Sequence, residues 1–591
     1  MSAMLSTLDP GQILLATVLL LPVLLLVIAL VPGMADRIFG LAPIAALPAI
    51  PAALWALFFP DSPFGAIELN VSALVLGARF ALDLGNAPWL FFTALLWCCA
   101  GWFGRYYLAH DERRGRYGGF FLGAMAGNFG LILARDPAMF FTCFAVMSFM
   151  SYGLVIHDGR PASMVAGRVY LGMAVLGEVL QFAGLVLAIF PNLGTSGLEN
   201  FQTLEHFRAS DPWVAGLFIA GFGVKAGLLG LHVWLPMAHP VAPTPASAVL
   251  SGAMIKAGLI GWMHLLPLGL DAFPVLGGLM ITLGLAGAYL AAVIGCLQTH
   301  PKAVLAYSSV SQMGLMTTGI GIALTAPYLV TALIPAIVLY ASHHAFAKCL
   351  LFLSVGLKSV RNLTGWERVV FWSGNSFAAL ALIGAPFTSG ALAKAALKDA
   401  VGRAGLPSEA TIITLLTFAA AGTTLLMLRY LFTLRTIAYD EHHASPVGVW
   451  QPWLVLLTGI IVGPLIVALG VFDHAHLGSL PFAALKGVIP MVIGAAGYGL
   501  VRRWLNGETP IIPAGDLYRL YAATGRVIGA AFRPRTQTGA AAATSGIADG
   551  FRRFMQPVSR ALAQGEQALS VWSISGLAAG AVALILFWLA Q

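Results

Sequence analysis

GFGVKAGLLGLHVWLPMAHPVAPTPASAVLSGAMIKAGLIGW, from Gly221 to Trp262, sets two lysines, Lys225 and Lys256, inside strongly apolar sequence. An ionised ammonium near the centre of a bilayer costs at least about 2.5 kcal/mol, so a lysine placed there needs partners, water or a neutral form, and marks a functional site. The same stretch carries Pro236, Pro240, Pro243 and Pro245. A helix meeting such a cluster must end or break, freeing carbonyls that only protein or water can satisfy at membrane depth. Lys225 and His232, seven residues apart, are expected on one face of the helix that runs into this break.

The composition makes the membrane setting firm. The chain is 59% hydrophobic and 9% charged, with a mean hydropathy of +0.86, where a soluble domain carries about 25% charge. Apolar runs of about 20 residues, each long enough to span a hydrocarbon core, recur along nearly the whole length. The pattern predicts an all-α polytopic membrane protein of about sixteen transmembrane helices. The first run has neither a charged leader nor a small-residue cleavage site and reads as a retained helix.

Basic residues gather in the loops after odd-numbered spans, among them Arg113, Arg114 and Arg116, then Lys358 and Arg361, then the stretch from Arg502 to Arg560. Acidic residues follow the second and sixth spans: Asp61, Glu68, Asp83, Glu199, Glu205 and Asp211. The positive-inside rule then puts both termini in the periplasm of a bacterial inner membrane. The net charge of +8 describes this topology, and nucleic acid is not an expected partner. The five cysteines lack metal-ligand spacing, and no nucleotide fingerprint is present, so no metal or cofactor is expected.

The chemistry therefore falls to ionisable residues within the spans: Glu178, Lys225, His232, Lys256, His343, His344, Lys348, Lys394 and Lys398. Burial disfavours the charged form of a lysine, so a lysine held there can accept and release a proton. His344 and Lys348, four apart in HHAFAKCLLFL, share a helix face. His343 points to the other side, and Lys302 reads as an interfacial anchor. IGAPFTSGALAKAALKDA supplies a second interruption, expected at Pro386 and Gly390, followed by Lys394. The two interruptions lie five spans apart, and an odd unit repeated in tandem comes out inverted, a recurring transporter plan with ion sites at the breaks. The expected organisation is N-terminal helices over 1–117, a first five-helix repeat over 118–268 and a second, inverted, over 273–434. Further helices follow over 451–503, then a cytoplasmic amphipathic segment over 504–570 and a final span over 571–591.

LHVWLPMAHPVAPTPASAVLSGAMIKAG, LAYSSVSQMG from Leu305 to Gly314, and HHAFAKCLLFLSVG from His343 to Gly356 closely resemble the antiporter-like membrane subunits of respiratory complex I. The same superfamily holds the Mrp-type cation/proton antiporters and the membrane subunits of hydrogenase-4 and formate hydrogenlyase. The AHPVAP and SGAMIK wording is nearest the hydrogenase-4 and Mrp branches. The resemblance implies two proton half-channels joined by a hydrated chain of lysines and histidines, with no redox centre and with other membrane and peripheral subunits as partners. On the matching motifs, Lys225 would load protons at the first broken helix, with His232 beside it. Lys256 would connect, His344 and Lys348 would continue the axis, and Lys394 would terminate it. The cargo would be protons, with Na+ as the alternative.

One departure matters. The family carries a glutamate six residues before the pair that stands here as Ser151 and Tyr152, and this chain has Ala145 there. Glu178, in the sixth span, is the displaced partner expected for Lys225. Met237 and Tyr340 are smaller departures, standing where relatives carry Asp and an axial histidine. Three functions fit the sequence: a proton-translocating subunit of a complex I-like or hydrogenase-type oxidoreductase, an Mrp-type antiporter subunit, and a proton-coupled membrane partner in inorganic-carbon uptake.

Overall fold

The computed structural model describes residues 9–62, 65–71, 77–189, 211–441, 447–472, 487–502, 505, 512–518 and 521–523. The expected final span, 571–590, and nearly all of the expected amphipathic segment lie outside the described residues. The elements below all belong to one unit, residues 1–72 with 76–514. The protein is mostly helical, as the apolar runs required. Among the described residues nine helices are long and apolar enough to cross a membrane, and shorter apolar helices cover Ala42–Phe58, Pro212–Ala226 and Val488–Val501.

The N-terminal part comprises α1 (Pro10–Ala29), the short α2 (Ala35–Phe39), α3 (Ala42–Ala46) and α4 (Ala49–Phe58), then α5 (Ala87–Tyr107) and α6 (Arg114–Leu133). Asp9 opens α1 with a capping box, accepting from the Gln12 N–H at 2.7 Å while the Gln12 side chain returns to its own N–H. A feature that helical periodicity did not suggest follows α4. Strands β1 (Ile67–Val71) and β2 (Ala78–Leu82) form an antiparallel hairpin, and β1 has the alternating burial of a two-faced strand. The Gln12 side chain donates to the Glu68 carbonyl at 3.1 Å. Asp136 accepts both the Arg79 N–H, at 2.9 Å, and the Met139 N–H, at 2.8 Å. One carboxylate thus caps the next helix and fastens it to the hairpin.

That helix is α7 (Pro137–Val155), followed by α8 (Pro161–Ile189) and α9 (Pro212–Ala226). The expected seventh span is broken, but not at its prolines. Gly227 ends α9 in the left-handed conformation at φ +73°, with the Leu228 N–H reaching back to the Gly223 carbonyl at 2.8 Å. Gly230, at φ +88°, keeps the chain unwound until α10 (Trp234–Val241). Only glycine adopts these angles without strain, so the backbone breaks seven residues or more before the proline cluster reaches its end. Pro236 sits in the first turn of α10, where a missing N–H costs no helical bond. Lys225 and His232 therefore do not share one continuous helix; the first closes α9 and the second lies in the linker.

The expected eighth span is also interrupted. It consists of α11 (Thr244–Gly252), a 3-10 turn at Met254–Lys256 and α12 (Ala257–Leu265), which puts Lys256 at a change of helical pitch. Next come α13 (Pro274–Cys296), α14 (Pro301–Thr325) and the long α15 (Val330–Val360). The second break separates α16 (Gly365–Ile383) from α17 (Ser389–Val401). It lies at Gly384, left-handed at φ +88°, and Phe387, at φ +64°, with Thr388 capping α17. Gly390, expected in the break, lies inside α17; an added Cβ there would meet the His343 ring at 2.7 Å. α18 (Glu409–Arg435), α19 (Trp450–Val471) and α20 (Val488–Val501) complete the described helices.

Lipid supplies no hydrophobic drive between helices, so close backbone approach does the packing. On α13 and α14, Gly277 and Gly284 face Gly321 and Gly314. A Cβ at Gly284 would stand 2.6 Å from the Gly314 carbonyl oxygen, and one at Gly321 would stand 2.7 Å from that of Gly277. Gly314→Val overpacks this seam against backbone, which cannot rotate aside. The expected loss is about 1–3 kcal/mol, read as a lower midpoint of thermal unfolding followed by tryptophan fluorescence in detergent.

Candidate functional site

Lys225 lies in the last turn of α9 and is buried. Its ammonium donates to the Ser148 hydroxyl at 3.3 Å and the Tyr170 hydroxyl at 3.1 Å. Three aromatic rings surround it, with centroids at 6.0 Å for Phe144, 5.3 Å for Tyr170 and 5.7 Å for Trp234. A desolvated cation over such faces gains about 2 kcal/mol. Trp234 is held by its indole N–H, which donates to the Val224 carbonyl at 2.7 Å, and Tyr170 by donation to the Ser148 carbonyl at 3.0 Å. Ala145 follows Phe144 on α7, one turn from Ser148. The position that lacks the family carboxylate is thus flanked by two groups that now face the ammonium.

Glu178 is buried on α8, and its charge acts on Lys225. Its Oε1 has no hydrogen-bond partner among the described residues. Among the described residues the carboxylate and the ammonium form no ion pair within 4 Å, and the ammonium donates to hydroxyls instead. His232 is buried in the linker between α9 and α10, edge-on to Tyr307 with ring centroids 6.4 Å apart.

The middle of the site is formed by α11, α14 and α15. The Lys256 ammonium lies 2.8 Å from His344 Nδ1 and donates to the Ser251 carbonyl at 2.8 Å. Ser251 and Ser309 share a hydrogen bond of 2.6 Å, and Lys348 donates to the Leu305 carbonyl at 2.7 Å. Lys256, His344 and Lys348 are almost wholly excluded from the surface. Tyr340, in place of an axial histidine, donates to Gln312 Oε1 at 2.9 Å, and Gln312 donates to the Thr423 hydroxyl at 3.1 Å. Uncharged groups thus tie α15 to α14 and to the helix Glu409–Arg435 at this level.

At the second break Lys394 donates to the carbonyls of Leu382 and Ile383, each at 2.8 Å. These belong to the last turn of α16, whose carbonyls have no helical N–H to accept from once the chain turns at Gly384. The negative end of the helix faces the ammonium as well.

Three buried groups were missed or misread in the sequence. His343, set aside as pointing away from His344, points at the second break: its Nδ1 lies 2.9 Å from the Ser389 hydroxyl. Lys302 is not an interfacial anchor but a buried residue donating to the Ala242 carbonyl, at the end of α10, at 2.7 Å. Extending the Leu305–Gly314 motif back by one turn would have included it. His239, within the proline cluster, is fully buried; a polar residue in so apolar a helix was the available signal.

Comparison with known proteins falls on this same region. Residues 134–418 match the family described as NADH:quinone oxidoreductase/Mrp antiporter, transmembrane. Over those residues, just under half of the chain, the sequence is similar to this family. The match runs from the start of α7 into α18 and takes in all the clusters above. Hydrogenase-4 component B of Escherichia coli K12 is 29% identical over 316 residues, 51% of this chain and 45% of that protein. A Staphylococcus aureus MRSA252 chain named as antiporter subunit mnhA2 is 24% identical over 396 residues, 62% of this chain and 49% of that one. The chain thus spans about half the length of the curated relatives it matches. Among solved structures, the Mrp complex from Dietzia aligns with a TM-score of 0.64 at 20% identity, covering 92% of this chain and 63% of that one. The membrane-bound sulfane sulfur reductase, an archaeal respiratory membrane complex, aligns at 0.60 and 17%, covering 83% and 99%. The antiporter-like fold is shared with both.

The contact between Gly390 and His343 offers a test of how α17 is seated. Gly390→Val forces α17 away from α16 and α15, separating Ser389 from His343 and Lys394 from its carbonyls. The midpoint of thermal unfolding in detergent should fall, while Gly278→Ala, with nothing within 4 Å of the added Cβ, should leave it unchanged.

Proposed function

We propose that the chain is a proton-translocating subunit of a multisubunit oxidoreductase of the complex I-like or hydrogenase type. It conducts protons through Lys225, His232, Lys256, His344, Lys348 and Lys394, with Glu178 biasing Lys225. The observation that carries the reading is the 2.8 Å contact between Lys256 and His344 Nδ1, deep in the protein between the two broken helices. Two basic groups in hydrogen-bond contact in an apolar interior cannot both hold a proton without strong repulsion, so they share one. That is the chemistry of a relay. Residues 118–268 and 273–434 serve as the inverted repeats, each with its break and its lysine, and the partners are the membrane and peripheral subunits that drive proton movement. The membrane is a bacterial inner membrane, with the termini on its outer side.

The second reading is an Mrp-type antiporter subunit, with Na+ moving against protons in the assembly. It is favoured by the 92% coverage of this chain in the Dietzia Mrp alignment. In this reading the same lysines carry the protons, and a sodium gradient drives them.

The test is proton uptake into vesicles reconstituted with the intact complex. Lys225→Ala and Lys394→Ala should each lower flux at least tenfold with assembly preserved; full flux in both would end the relay reading. An imposed sodium gradient that drives proton movement favours the Mrp reading, and flux coupled only to a redox reaction favours the first.

Glu178 has its own expected outcome. Glu178→Gln keeps shape and hydrogen bonding but removes the charge that acts on Lys225, and flux should fall at least threefold with an altered pH profile. An unchanged rate and profile would show that the carboxylate is a bystander.

A further inference from the structure

We infer that His239 is a proton-carrying link between Lys302 and Lys348, which gives the central chain an entry from the end of the molecule where α14 begins. The inference rests on the relay reading above and adds two residues to it.

Three helices meet around this histidine. From α10, the Ala242 carbonyl accepts from Lys302 of α14 at 2.7 Å. From α14, the Leu305 carbonyl, one turn beyond Lys302, accepts from Lys348 of α15 at 2.7 Å. From α15, Phe352, one turn beyond Lys348, stacks on the His239 ring, with centroids 4.5 Å apart and planes 26° from parallel. His239 thus closes a triangle whose other contacts are made by the two ammonium groups, and both are electrostatically coupled to its ring.

Both ring nitrogens, Nδ1 and Nε2, are buried without a hydrogen-bond partner among the described residues. An imidazole always presents a donor and, when neutral, an acceptor, and buried polar groups are nearly always satisfied. A side chain needed only to stack on Phe352 would be apolar. An imidazole with both nitrogens open, set between two lysines, instead calls for water on both sides. The backbone is fixed for this purpose: the Ser247 hydroxyl donates to the His239 carbonyl at 3.1 Å and lies 3.4 Å from the Ala242 carbonyl that holds Lys302.

The step balances as a proton relay. The Lys302 ammonium gives a proton through water to one imidazole nitrogen, and the other nitrogen gives up its proton through water to a neutral Lys348 amine. Lys302 is left neutral and Lys348 charged. The imidazole returns to its starting state by exchanging tautomers. From Lys348 the charge lies one turn of α15 from His344, and so from Lys256.

The experiment uses the complex purified with its native partners, reconstituted in vesicles with a pH-sensitive dye. His239→Phe keeps a ring for Phe352 and removes both nitrogens; flux should fall at least tenfold with assembly and thermal midpoint preserved. His239→Gln can donate and accept hydrogen bonds but cannot pass a proton through itself, and it should fall as far, so the test survives if the Phe variant does not assemble. Phe352→Leu loses the stack and keeps the imidazole, and should cost less than threefold. If His239→Phe and His239→Gln stay within threefold of the parent while Lys225→Ala and Lys394→Ala abolish flux, His239 is a packing residue and the link is overturned while the relay stands. An equal loss in Phe352→Leu and His239→Phe would overturn it too, since the stack alone would then matter. Full flux in the two lysine variants would remove both the relay and this addition to it.

Discussion

Among the described residues the buried or half-buried ammonium groups of Lys225, Lys256, Lys302, Lys348 and Lys394 must find oxygen where almost no carboxylate is offered, and the solution is nearly the same each time. Lys394 takes the last carbonyls of α16, Lys302 the carbonyl that closes α10, and Lys256 a carbonyl where its helix tightens into a 3-10 turn. Lys348 takes a carbonyl of α14. A carbonyl ligand is neutral, so it steadies a charged lysine without locking it as a carboxylate would, and it can accept from a water when the lysine is neutral. For Lys394, Lys302 and Lys256 an irregularity of the backbone, a break, a helix end or a 3-10 turn, supplies the acceptor that the lysine requires.

Lys225 is the exception. Its helix ends at Gly227 with its carbonyls drawn into the turn and into Trp234, and the carboxylate expected on α7 is absent. Hydroxyl groups and aromatic faces take that place. The change is not neutral. A carboxylate beside a lysine sets a strong two-state pair, whereas rings and hydroxyls favour the ammonium only modestly and cannot themselves change charge. The proposed control of this first lysine therefore rests on Glu178, on α8.

Much of this was legible in the sequence. The apolar runs predicted an all-helical membrane chain, and the described residues are mostly helical, with nine helices long and apolar enough to cross a membrane. Lys225, Lys256, His344, Lys348 and Lys394 stood out because charge in apolar sequence is rare, and the structure buries the first four and half-buries the last. The first break was placed too late because proline is the louder signal, while the chain leaves the helix at Gly227 and Gly230, whose φ values no composition reveals; the second break does contain the expected Pro386, though Gly390 lies beyond it. The hairpin was missed because its strands are only five residues each and are stabilised by Gln12 and Asp136, distant in sequence. His343 and Lys302 were misread for a similar reason: a helical wheel tells which way a residue points, not what waits there.

The glycine seam between α13 and α14 has a mechanical consequence. Carbonyls and α-carbons interlock at two levels along these helices, so a one-turn slide of about 5.4 Å would drive side chains into backbone at both. This rules out a piston stroke along that pair. Whatever passes from one break to the other has to be local: a rotamer changing, a water arriving, a short linker flexing at a glycine, each step small and the scaffold still.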